Sequence, residues 1–336
     1  MLFIHKNVSK TYLKFDIPDI NNDLQENNVK TGQIGKANAC FVILSQNSRL
    51  EEVRSSMRQI EDRFNHKYNY PYVFLNDVPF TQEFINFTKA MTKAKTEYGL
   101  VPKEHWSFPN HIDTELAYKN MNEMANNGIP FGSSLSYRHM CRFYSGFFYQ
   151  HELMKNFDYY WRLEPGVEYY CDIDFDPFIY MKEKDIKYGF TLVPHEWLST
   201  VPTLWSTVKE FMRMYPSSIE NDSLIEFITD DKGDYNLCQF HSNFEIADLN
   251  LWRSEAYTKF FNFLDKKGGF FYERWGDAPV HTIAAALFLK KHQVRFFEEI
   301  GYRHGSLANC PKENKLQYKC LCNPDDSLGK FQLAIL

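Results

Sequence analysis

The chain reads as an α/β protein with parallel strands at its centre, and three observations predict this. Ala39–Ser45 (ACFVILS) is a continuous apolar run of strand length. A helical pattern follows at once, with Leu50, Val53, Met57, Ile60 and Phe64 recurring on one face. Tyr72–Leu75 (YVFL) is a second apolar run, closed by Asn76-Asp77. Two buried strands joined by an amphipathic helix make a βαβ unit, in which the crossover sets the strands parallel and covers one face of the sheet.

The other elements follow the same logic in order. Ser48 and Glu51 have the spacing of a capping box at the start of the first helix. Residues 82–94 and 113–126 carry helical periodicity, and Tyr137–Gln150 reads as an aromatic-rich helix. Tyr159–Leu163 (YYWRL) is a strand broken by Glu164-Pro165-Gly166. Tyr188–Val193 is another strand, Leu204–Tyr215 a helix, and residues 216–236 a loop with turn residues at 230–234. A helix over 253–266 ends at Gly268-Gly269. Asp277 is placed to cap a further helix reaching Leu289, with Pro279 in its first turn, and Val294–Glu298 closes the pattern as a strand. Without a repeat or a clean linker, this is one domain with extra elements in its C-terminal half. The weakly patterned residues 1–36 read as a stem or arm, 37–311 as the globular unit and 312–336 as a tail.

Composition narrows the class. With 336 residues, 44% of them hydrophobic, the chain has material for a large core. A net charge of −5 opposes the basic surface of a nucleic-acid binder, and no apolar run of about 18 residues is present to span a membrane. Aromatic residues reach 17%, which suits either a ring-rich core or a site that stacks on sugars. Cys310, Cys320 and Cys322 cluster near the C-terminus without a CxxC pair, so a disulfide of Cys310 with Cys320 or Cys322 is expected rather than zinc. Sequons at Asn7, Asn86 and Asn221 point weakly to a secretory location.

Ligands of open α/β sheets bind at the carboxyl ends of strands. The segment YYWRLEPGVEYYCDIDFDPF (159–178) puts Glu164 at such an end and adds Asp172, Asp174 and Asp176 in a D-x-D-x-D array. Glu164 and the pair Asp172/Asp174 are therefore competing ligands for a divalent cation, while the aspartates have the rival role of capping a helix near Pro177–Lys184. His281 sits among apolar neighbours as a satisfied buried histidine, whereas His304, in the loop GYRHG after a strand, is credible as a metal ligand. There is no G-x-G-x-x-G, no G-x-x-x-x-G-K-[ST] and no G-x-S-x-G, so a Rossmann site, a P-loop and an α/β-hydrolase elbow are absent.

Long strings carry a resemblance: RQIEDRFNHKYNYPYVFLND (58–77), SYRHMCRF (136–143), 159–178, SNFEIADL (242–249) and GGFFYERWGDAPVHTIAAALFL (268–289). Over roughly residues 36–311 the chain resembles the fungal Golgi α-1,2-mannosyltransferases of glycosyltransferase family 15. The resemblance implies a GT-A type nucleotide-sugar-binding fold, with a mixed central sheet flanked by helices in a single domain. It implies a retaining mannosyltransferase that uses GDP-mannose as donor, Mn²⁺ as cofactor and a mannoside or glycoprotein glycan as acceptor. It also implies the Golgi lumen, with membrane attachment through an N-terminal anchor outside this chain. The metal ligands would be Glu164 and His304, leaving Asp172 and Asp174 structural. Glu245 would be the nucleophile or cation-stabilising carboxylate; its bland alternative is an ion pair with Arg253. Tyr137, Arg162 and Asp277 would line the donor and acceptor site, and Trp275, Tyr272 and Trp205 are candidates for stacking on sugars. Gln46 in LSQNS stands where an arginine is expected, so nucleotide contacts there should differ. Two other classes stay open: a glycoside hydrolase using Glu164 and Glu245 as its carboxylate pair, and an inactive carbohydrate-binding relative.

Overall fold

A computed structural model describes residues 35–328. Most of the expected stem with its Asn7 sequon, and the last residues of the expected tail, lie outside the described residues. A seven-stranded sheet forms the centre, in the order β3-β2-β1-β4-β7-β6-β8. Its strands are β1 (Ala39–Leu44), β2 (Tyr72–Asn76), β3 (Thr96–Leu100), β4 (Tyr159–Leu163), β6 (Tyr188–Phe190), β7 (Phe244–Asp248) and β8 (Val294–Phe296). β3, β2, β1 and β4 are mutually parallel, β7 runs against both β4 and β6, and β8 is parallel to β6. A smaller antiparallel sheet joins β5 (Glu168–Tyr169), β9 (Tyr302–His304) and β10 (Leu307–Asn309).

Alternation along the strands explains the layers. In β1, Cys40 and Val42 enter one core while Phe41 and Ile43 enter another, so the sheet is covered on both faces. The second face takes Val53 and Met57 of α1 (Leu50–Ile60) and Phe178 and Met181 of α5 (Pro177–Glu183). The first face takes Phe143 and Tyr144 of α4 (Leu135–Gly146) and Val280, Ile283 and Ala284 of α9 (Asp277–Phe288). Helices α2 (Gln82–Lys89), α3 (Thr114–Asn126), α6 (Leu204–Met214), α7 (Leu249–Arg253) and α8 (Glu255–Lys267) complete the main set. The mixed sheet flanked by helices agrees with the expected fold class.

Several local expectations are corrected. Ser48 does not cap α1: a 3₁₀ turn, Asn47–Arg49, leads into the helix and Arg49 holds the cap position. The helix over 82–94 stops at Lys89, because Thr96–Leu100 is needed as an edge strand. The helix over 253–266 is two, α7 and α8, with the Ser254 hydroxyl capping the second. A single helical turn, Ile225–Ile228, interrupts the expected loop. Neither Asp172 nor Asp174 caps α5; Asp176 does, accepting from the amides of Phe178 and Ile179 at 3.0 and 3.3 Å. Asp277 is the first helical residue of α9 and makes no cap, since Gly276 holds that position.

The break after β4 is as read. Gly166 has φ +84°, a left-handed conformation that glycine adopts without penalty, and its amide donates to Ser56 Oγ at 2.9 Å. Two disulfides staple the C-terminal segment: Cys310 pairs with Cys322, as expected, and Cys320 with Cys171. Cys40, Cys141 and Cys238 are free and buried. No helix of the described residues is long and apolar enough to cross a membrane.

Candidate active site

Because β1, β2 and β4 are parallel, their carboxyl ends open at one edge of the sheet. A cleft of about 330 Å³ lies there, lined by Ser45, Gln46 and Arg49 after β1, Asn76 and Asp77 after β2, Tyr137 of α4, and Glu164 after β4. Backbone alternation in β4 sends Trp161 to one face and its neighbour Arg162 to the other, toward α4 and α9. Arg162 is fully buried there and its charge must be matched. Its Nε donates to Glu164 Oε1 at 2.7 Å, its Nη1 to Asp277 Oδ2 at 2.5 Å, and its guanidinium lies 3.5 Å from the Tyr144 ring centre. Ser242 Oγ donates to the same Asp277 oxygen at 2.7 Å. One cation thus holds two carboxylates, one at the end of β4 and one at the start of α9, 115 residues after the arginine itself.

The electrostatics follow from this packing. Burial alone would raise the Asp277 carboxyl, but the Arg162 guanidinium, with His281 and the Ser242 hydroxyl, outweighs it and holds Asp277 below the usual carboxylate range. His304, at the end of β9, is pushed below the ordinary histidine value by burial first and by Arg162, against the opposing charge of Glu164. A neutral imidazole keeps a lone pair for a metal. The His241 ring lies 5.4 Å from that of His304, and its Nδ1 is buried without a partner. Burial, and then His304 and Arg162, depress His241 to about 3.

The donor set fits a divalent cation that shares its shell with a substrate. Glu164 offers carboxylate oxygen, with Arg162 engaged at Oε1, and His304 offers a ring nitrogen; the oxygen donor suits Mn²⁺ and imidazole binds first-row divalent metals generally, so the pair is compatible with Mn²⁺ without selecting it. Among the described residues, three ligand-type groups come within 4.8 Å of one another only at Cys171, Cys320 and Cys322, whose sulfurs are bound in disulfides. A complete protein-only cage is therefore not preformed at Glu164 and His304, and diphosphate oxygens or water would have to fill the remaining positions.

The remaining candidates divide. Tyr137 is in the cleft, stacked on Phe131 at 4.5 Å with the Arg274 guanidinium 5.2 Å from its ring centre. Asp172 is half-exposed and paired with Arg63 at 2.6 Å, and Asp174 is paired with Lys319 and Lys67; neither lines the cleft. Trp275 and Trp205 are buried core residues, with indole nitrogens donating to Glu273 Oε2 and Gly233 O, and the Tyr272 hydroxyl accepts from the Asp113 amide. None of the three lines the cleft. Glu245 is fully buried in β7, and it does not pair with Arg253, whose guanidinium donates to the carbonyls of Phe157 and Met154. Ser242, Tyr144 and Arg49 were not singled out from sequence. Ser242 sits just ahead of an acidic strand and Arg49 just past an apolar one, but neither position is distinctive without the fold.

Comparison with known proteins adds to this geometry. The model of the glycolipid 2-alpha-mannosyltransferase family matches residues 6–334. Candida albicans glycolipid 2-alpha-mannosyltransferase 2 is 51% identical over 87% of this chain, which spans 64% of that protein's length. The alpha-1,2 mannosyltransferase KTR1 of Saccharomyces cerevisiae is 51% identical over 85% of this chain and 74% of its own. Core-mannan synthase A of Aspergillus fumigatus, solved in a Mn/GDP form, superposes with a TM-score of 0.83 at 42% identity, covering 88% of this chain and 81% of that one. The S. cerevisiae mannosyltransferase Ktr4p in complex with GDP gives 0.85 at 34% identity, covering 95% and 90%.

Proposed function

The chain belongs to the glycolipid 2-alpha-mannosyltransferase family, and from that premise we propose that it is a retaining mannosyltransferase moving mannose from GDP-mannose to a mannoside acceptor through α-1,2 linkages. The observation that carries this reading is the buried Arg162–Asp277 pair holding Glu164 at the lining of a strand-end cleft, with His304 near enough to Glu164 to feel its charge and held below the ordinary histidine value by burial. Relatives solved with GDP, one of them with manganese, support the same donor and cation here. A hydrolase reading loses its second carboxylate, because Glu245 is wholly buried and does not line the cleft.

In this mechanism Glu164 and His304 would hold Mn²⁺, which when bound would supply positive charge to offset that of the diphosphate leaving group. Arg162 fixes Glu164 and Asp277 at a set separation, so neither carboxylate must reorganise during reaction. Tyr137, stiffened between Phe131 and Arg274, gives the cleft an apolar wall with a hydroxyl whose proton burial retains well above the ordinary tyrosine value. Such a hydroxyl acts as a hydrogen-bond donor to donor or acceptor. We place the enzyme in the Golgi lumen, acting on N- or O-linked glycans; two disulfides suit an oxidising compartment.

A donor screen with and without Mn²⁺, followed by linkage analysis of the product, tests the reading. The expected result is α-1,2-mannosyl transfer from GDP-mannose that EDTA abolishes. Release of free mannose from a glycan without nucleotide would overturn it.

A further inference from the structure

Glu245 is a buried acid that the cleft does not use. It stands opposite Arg162 in the antiparallel register of β4 and β7 and has no exposed surface. Its Oε1 accepts from the Tyr160 hydroxyl, and its Oε2 accepts from the Tyr188 hydroxyl at 2.7 Å and lies 2.8 Å from His281 Nδ1. Three partners therefore occupy the two oxygens.

His281 is equally buried, its ring stacked on Trp252 with centroids 4.1 Å apart. Its Nε2 lies 3.1 Å from the carbonyl oxygen of Tyr144, so both ring nitrogens face oxygens. A carbonyl oxygen only accepts, so Nε2 must carry hydrogen. The Nδ1 contact then needs a second proton, on the ring or on the carboxyl. The pair is an imidazolium against a carboxylate, or a neutral ring receiving a hydrogen bond from a carboxylic acid. Both forms hold one shared proton and are neutral overall, which is how an acid and a histidine are tolerated in a core.

The pair also touches the site indirectly. His281 follows Asp277 by four residues, so the two share one face of α9. Asp277 grips Arg162, and Tyr144, whose carbonyl faces His281, presents its ring to the same guanidinium. Two links thus pin α9 to the central strands, Asp277 to β4 and His281 to β7.

We infer that Glu245 is a positioning residue and not the nucleophile: with His281 it forms a buried proton-sharing pair that locks α9 onto the sheet and so sets Asp277 and Arg162. The inference rests on the mannosyl-transfer reading. A nucleophile needs a free oxygen within about 3–3.5 Å of the reacting carbon. Both oxygens of Glu245 are engaged away from the cleft, and no mannosyl bond to Glu245 forms during turnover.

Glu245→Gln, His281→Asn, the double variant and Glu245→Ala in the full chain test this. Each of the first two is expected to lower kcat by about 10- to 100-fold, the scale of a small misplacement of reacting groups, while KM for GDP-mannose stays within about threefold. Acting as one unit, they should not be additive: the double variant should be within about threefold of the slower single, and the shifts in unfolding midpoint should likewise be coupled. Azide should neither rescue Glu245→Ala nor yield mannosyl azide. Three results would overturn the inference: a mannosyl adduct on Glu245, azide rescue, or a loss near 10⁴-fold in Glu245→Gln beside a normal His281→Asn. If Glu245 variants do not fold, His281→Asn carries the test, since near wild-type kcat in it also refutes the pair. A wild-type chain that transfers no mannose would sink the proposed reaction, and the coupling of the unfolding midpoints would still decide the pair.

Discussion

Within a dozen residues the chain carries two acidic groups of similar appearance and opposite fate. Glu164 ends β4, lies at the cleft and is joined through buried Arg162 to Asp277, with its side chain 13% exposed. Asp172 and Asp174 lie past β5, with side chains 52% and 47% exposed, paired with Arg63, Lys319 and Lys67 on the surface. A D-x-D array looks more like a metal site than a lone glutamate does. The difference is position: parallel strands bring Glu164 to the edge where other strands also end, while the aspartates have already turned onto the outer surface. An exposed ion pair contributes about 0–1 kcal/mol, whereas losing one partner of a buried pair costs about 3–5 kcal/mol.

The largest expected effect sharpens this contrast. Glu164→Ala should lower kcat/KM by about 10³-fold or more, matching the several kcal/mol a metal contributes to charge stabilisation. Calorimetry with GDP should show the Mn²⁺ enhancement of binding lost with it, and an unchanged enhancement would remove Glu164 from the metal site.

Next is Asp277→Asn, which leaves Arg162 underpaired in the core. We expect about 3–5 kcal/mol of destabilisation at neutral pH, read by denaturant unfolding. The sign with pH is set by the depressed folded value of Asp277. Its contribution is complete above the ordinary value of about 3.9 and fades as pH falls through the lower folded value. The gap between wild type and variant should therefore be widest near neutrality and shrink below about pH 4. A gap that widens on acidification would mean Asp277 is not held as a carboxylate.

Cys320→Ser opens the link from Cys171, beside Asp172, to the tail. For so long a loop about 2–4 kcal/mol of stability should be lost, with kcat within threefold if the small sheet serves mainly to anchor the aspartates' side of the molecule. A collapse of Mn²⁺-dependent GDP binding would instead show that this sheet sets His304.

The smallest effect is expected from Asp172→Asn, under about 1 kcal/mol in stability and with activity within threefold. Loss of Mn²⁺ binding in that variant would reverse the comparison.

Sequence alone determined what depends on local pattern. The apolar runs of β1, β2 and β4, the periodic face of α1, the turn at Gly166 and the strand-end place of Glu164 were all legible, because burial on both faces and turn geometry act over a few residues. The family resemblance carried by long strings implied the donor and the cation, and nominated Tyr137, Arg162, Asp277 and His304 as candidates for the site. Strands β3, β5, β9 and β10 escaped notice because short, edge or half-polar strands carry little period, and the central strand β7 (FEIAD) did so because Glu245 and Asp248 interrupt the apolar run that marks a buried strand. Tertiary structure alone decided that Arg162 would bridge Glu164 and Asp277, that Cys320 would choose Cys171, and that Glu245 would face His281 rather than Arg253. The pairs Glu245–His281, Arg162–Asp277 and Cys171–Cys320 lie 36, 115 and 149 positions apart, and such pairings follow from strand register and helix docking, which no local pattern encodes.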